Sequence, residues 1–126
     1  MKHVLSALII GAAFAAAQAN AGCDYPTAPG KFPDGSQATK EEMLAAKGLV
    51  VKYNTEMDTY LQCIKGEYDT SVAGLSSPSK ETLAKLEKAQ VQKQDAALKE
   101  VTDVTERFNE QLRAWKAKNV VEKKPS

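Results

Sequence analysis

Residues 79–119 contain neither glycine nor proline and are rich in Ala, Leu, Lys, Glu and Gln. Such side chains lose little freedom in a helix, so the stretch predicts one long helix over about 78–119, roughly 60 Å in length. Ala97, Val101, Val104, Phe108, Leu112 and Trp115 recur every three or four residues and share one face. Upstream, Leu83 and Leu86 are cut off from that seam by Gln90, Gln92 and Gln94. Weak apolar contact there predicts a bend, fraying or an exposed groove.

A first helix is expected over about 39–66. Thr39-Lys40-Glu41-Glu42 fits a capping box, in which the hydroxyl and the Glu three residues later satisfy free N–H groups at a helix start. Met43, Ala46, Val50, Tyr53, Met57, Tyr60 and Ile64 follow at alternating spacings of three and four, a seven-residue repeat. Leu49 and Leu61 widen the stripe beyond a two-stranded seam. Gly48 costs about 1 kcal/mol relative to Ala inside a helix, which tertiary contacts must offset. Gly66 is read as the start of a break, with residues 67–78 as the connecting loop and Ser77 or Ser79 as the next cap. Residues 120–126 are expected to form a flexible basic tail.

Ahead of the first helix, residues 22–38 carry Pro26, Pro29, Pro33, Gly30 and Gly35 and no periodic apolar pattern. They predict an extended arm with a turn at Pro33-Asp34-Gly35, and Tyr25 and Phe32 can anchor it against a helix. Residues 1–21 have the form of a secretory signal peptide: Lys2, the apolar run from Val4 to Ala17, and the small-residue site Ala19-Asn20-Ala21. That run is shorter than the roughly 18–20 residues needed to cross a bilayer, so cleavage after Ala21 and a periplasmic location are expected. The remaining 105 residues allow one small domain.

Cys23 and Cys63 are the only cysteines, and in an exported chain they most simply form one disulfide. A lipid-bearing Cys23 fits less well, because lipoprotein signals usually carry Leu where this chain has Asn20, and lipidation leaves Cys63 unpaired. Cleavage also removes His3, the sole histidine, and Lys2, so that 16 basic residues balance 16 acidic ones. This balance gives no general attraction to nucleic acid. The C-terminal end is locally basic, through Arg107, Arg113, Lys116, Lys118, Lys123 and Lys124, so membrane or cell-wall contact there is open. The competing explanation is that cations suit a helix C-terminus.

No catalytic constellation is present. The cleaved chain has no histidine, its cysteines are expected to pair, and it has no Gly-rich phosphate loop, nucleophile elbow or EF-hand spacing. Glu41 and Glu42 suit helix-start electrostatics better than acid–base work. No enzymatic activity, cofactor or metal is expected. Met43, Tyr53, Met57 and Tyr60, with Phe108, Leu112 and Trp115, form a candidate interaction face, against the simpler account that they pack helix on helix. Two helices alone do not enclose so wide a stripe, which leaves a protein partner or self-association open.

Met43, Tyr53-Asn54, Met57-Asp58, Tyr60-Leu61 and Cys63, followed by the run Arg107-Phe108-Asn109-Glu110-Gln111-Leu112-Arg113-Ala114, resemble a group of short, exported, mostly uncharacterised helical proteins of Gram-negative bacteria. The resemblance implies a periplasmic helical protein and supplies no catalytic residue. The expected fold is all-α: an antiparallel hairpin of two long amphipathic helices with a disulfide-tethered, Pro-rich N-terminal arm. The expected function is a non-enzymatic interaction or structural role in the cell envelope through an exposed helix face. A small helical chaperone or ligand-sequestering protein is the alternative, by analogy of architecture alone.

Overall fold

The computed structural model describes residues 22–122, with side chains through Val120. The expected signal peptide and residues 123–126 lie outside the described residues. Two helices follow the arm, α1 (Lys40–Ala73) and α2 (Lys80–Glu122), and there is no strand among the described residues. A six-residue connection turns the chain back on itself, so that the start of α1 faces the end of α2.

The capping box at the start of α1 is complete. The Glu42 backbone N–H donates to the Thr39 hydroxyl at 3.2 Å, and the Thr39 N–H donates to the Glu42 carboxylate at 2.8 Å. The far end of α1 differs from expectation. Gly66 does not break the helix, which continues through Ala73 and stops at Gly74, whose N–H bonds back to the Thr70 carbonyl at 3.0 Å. One glycine costs about 1 kcal/mol in a helix interior, too little to end a helix that gains contacts beyond it. Those contacts are the half-buried Tyr68 and Val72 and the 3.6 Å ion pair from Glu67 across to Lys93 on α2.

Ser79, not Ser77, caps α2: its hydroxyl accepts from the Thr82 N–H at 3.1 Å. Ser77 adopts φ 52°, the left-handed region, and turns the chain just before Pro78. Helix α2 runs unbroken through Gln90–Gln94 and reaches Glu122, three residues past the expected end, so residues 120–122 belong to the helix rather than to a tail. The groove expected near the glutamines is present. It opens between Ile64, Gly66 and Glu67 of α1 and Leu86, Gln90 and Lys93 of α2.

The core is confined to the arm end of the hairpin. Met43, Ala46, Val50, Tyr53, Met57, Tyr60 and Ile64 of α1 bury against Ala97, Val104 and Phe108 of α2, with Ala38 from the arm. No residue of α2 before Ala97 is fully buried, because only two layers meet there, whereas the arm adds a third farther along.

The arm is pinned at both ends. Cys23 is bonded to Cys63, and the Tyr25 ring meets Tyr60 edge to face at 4.8 Å. Phe32 meets Phe108 in the same manner at 5.7 Å. Arg107 donates to the Pro29 and Gly30 carbonyls at 3.1 and 2.8 Å and lies over the Phe32 ring at 5.6 Å. At the turn, the Gly35 N–H donates to the Gln111 side-chain oxygen at 2.9 Å. Because α1 continues past Gly66 to Ala73, Cys63 lies inside the helix, and the disulfide ties the start of the arm to its interior.

Candidate interaction groove

The arm divides the surface of the hairpin. It runs beside Lys52, Glu56 and Thr59 of α1 and bonds to Glu100, Arg107 and Gln111 of α2, all on one flank of the helix–helix contact. By helical periodicity, Leu44, Lys47 and Val51 of α1 and Leu98, Thr105 and Leu112 of α2 lie on the opposite flank. Nothing in the described chain covers that flank.

A groove of about 320 Å³ opens there, between Lys40, Met43, Leu44 and Lys47 of α1 and Phe108, Leu112 and Trp115 of α2. That volume is at the lower end of the range for ligand sites. Met43 and Phe108 form its buried floor, Leu112 and Trp115 are half-buried walls, and Leu44 is 57% exposed at its edge. Two further large apolar side chains continue the same flank, Val51 at 56% and Leu98 at 47% exposure.

The seven residues of the predicted interaction face therefore separate into two groups. Tyr53, Met57 and Tyr60 are core residues packed between α2 and the arm, away from the groove. Met43, Phe108, Leu112 and Trp115 meet at the groove. Sequence reasoning omitted Leu44, because it falls one position outside the seven-residue repeat. The exposed pair Leu44 and Val51, seven residues apart, was the available signal.

Opposite the groove, polar chemistry gathers beneath the arm. The Tyr25 hydroxyl donates to Glu100 at 2.5 Å, whereas the Tyr53 hydroxyl is buried with no hydrogen-bond partner among the described residues. Packing around the hydroxyl, then the hydrogen bond to Glu100 and its negative charge, hold Tyr25 neutral far above the ordinary tyrosine range. Burial, reinforced by the nearby Glu100 carboxylate, pushes Tyr53 up to about 12. In alkali the unfolded chain thus releases these protons first. Stability that is full below about pH 10 should fall as pH rises from there toward 12. Denaturation midpoints measured across that interval check this, and a flat profile would refute it.

Cys23, Cys63 and Glu67 form the one group of possible metal ligands among the described residues, with ligand atoms within 4.8 Å of one another. The two sulfurs are bonded to each other, so neither is a thiolate ligand while the disulfide stands. No helix among the described residues is long and apolar enough to cross a membrane.

These features define a disulfide-strapped helical hairpin with the arm laid along one flank and the other flank open, although Leu49 on the arm side keeps 51% exposure. Comparison with protein-family models, curated proteins and solved structures gave no match to this chain.

Proposed function

We propose that the protein is a non-enzymatic interaction or structural protein of the cell envelope, exported to the periplasm, that docks on a protein partner through the open flank of its hairpin. The observation that carries this reading is the asymmetry of the two flanks. A disulfide, two aromatic contacts and an arginine hold the arm along one side, and the other keeps a groove ending in Leu44, Leu112 and Trp115. Contiguous apolar surface rimmed by polar groups is the usual mark of a docking site. The disulfide suits an oxidising compartment, in line with the signal-like residues 1–21.

Photo-crosslinking in living cells tests the reading, with probes at Leu44 and Leu112 and a control probe at Lys85, remote from the groove. One recurrent protein product from the two groove probes, lost when Trp115→Ala is added, is expected. A smear of many unrelated exported proteins would favour the chaperone alternative. No product, or equal capture at Lys85, would end the reading.

A further inference from the structure

We infer that the groove takes an acidic amphipathic helix, which lies along the open flank as a third helix. This rests on the docking role proposed above and specifies the chemistry of the partner. Periodicity points to a helix. Leu44 and Val51 on α1, and Leu98 and Leu112 on α2, are spaced by one and two heptads, so exposed apolar side chains recur along the flank beyond the groove, with Thr105 between the two leucines of α2 and Asp58 one heptad past Val51. Apolar side chains at this spacing receive the apolar stripe of another helix, whose residues recur at i, i+3, i+4 and i+7.

Charge decides the rest. Lys40 and Lys47 line the groove one heptad apart on α1, and Lys116 follows Leu112 by one turn on α2. Lys52, Lys65, Lys85, Lys93 and Lys99 each pair with a carboxylate, while Lys40, Lys47 and Lys116, like Lys31, Lys80, Lys88 and Lys118 elsewhere, make no ion pair among the described residues. No carboxylate lines the groove. A helix seated there meets ammonium groups on both edges, which suits Glu or Asp flanking its apolar stripe and disfavours Lys or Arg. Two copies of this chain joined symmetrically through the groove would bring these lysines together, so like-charge repulsion opposes self-pairing on this face.

Trp115 is the only tryptophan and forms a groove wall, so its fluorescence reports occupancy directly. The purified exported protein is titrated with two three-heptad helical peptides that share one leucine stripe, one with Glu and one with Lys at the flanking positions. The acidic peptide is expected to shift Trp115 emission to shorter wavelength and to bind about tenfold more tightly than the basic one, with a preference that shrinks as salt rises. A doubly substituted protein, Lys40→Glu with Lys47→Glu, should invert the preference while keeping its melting temperature, since both side chains are exposed. Equal binding of the two peptides, an unchanged preference in the double variant, or a reversible dimer that blocks the acidic peptide would each overturn the inference. Recurrent crosslinking from Leu44 and Leu112 without an acidic preference would remove this inference and leave the docking role. Silence in both experiments would remove both.

Discussion

Reducing the Cys23–Cys63 bond, or replacing both cysteines with Ser, is expected to lower the free energy of unfolding by about 4 kcal/mol. The bond joins residues 40 apart, and the cross-link stabilises by denying the unfolded chain the many conformations of an open loop of that size. For a domain whose whole margin is on the order of 5–15 kcal/mol, this is a large share. Cys63 is exposed, so a small dithiol reaches the bond without prior unfolding. Loss should begin at the arm: with Cys23 free, only the Tyr60 contact and the Glu100 hydrogen bond hold Tyr25 in place. Urea titrations with and without reductant measure the difference, and amide exchange should show residues 23–30 opening first. Coincident curves would mean that the bond contributes nothing to the fold.

Gly35→Ala is the second large effect expected, at about 3 kcal/mol, or roughly a 15 °C fall in melting temperature. A Cβ at this position would collide with the Gln111 carbonyl and come within 3.0 Å of the Trp115 backbone nitrogen. Both obstacles are helix backbone, so neither yields by a change of rotamer. The turn must lift off α2, which breaks the bond from the Gly35 N–H to Gln111 and draws Ala38 out of the core. Gly30→Ala is the matched control. Its Cβ would meet nothing within 4 Å, and the change should stay within about 0.5 kcal/mol. Because the disulfide and the glycine hold opposite ends of one segment, the combined variant should lose less than the sum of its parts. A Gly35→Ala protein that melts with the wild type would show that the arm does not press on α2 there.

The helices were legible because their signals are local. The seven core positions of α1 named from spacing alone are the seven that are buried, and Thr39 caps as its sequence context indicates. The disulfide was legible from the cysteine count. Errors fell where a local signal competes with a distant contact. Gly66 resembles a stop in sequence, but the packing of Tyr68 and Val72, the bridge from Glu67 to Lys93 and the Lys65–Asp69 pair that spans the glycine accompany the helix past it. Arg107, grouped in sequence with the basic C-terminal residues, instead holds two arm carbonyls and stacks on Phe32.

The candidate site followed the same division. Spacing showed that the apolar stripe exceeded what a helix pair encloses, but Tyr60 and Leu112 are equivalent by periodicity. One is covered and the other open because the arm crosses a single flank. The side it takes depends on the reach of Cys23 to Cys63 and the fit of Gly35 against Gln111, contacts between residues 40 and 76 positions apart.

Sequence by itself thus determined the two helices, their buried stripes and the bond that straps the arm, since propensity, capping and periodicity act over a few residues. The tertiary structure alone decided which flank the arm covers, how far α1 extends, and which of the apolar residues face solvent. Each of these depends on the free energy of packing surfaces distant in the chain, which no local pattern encodes.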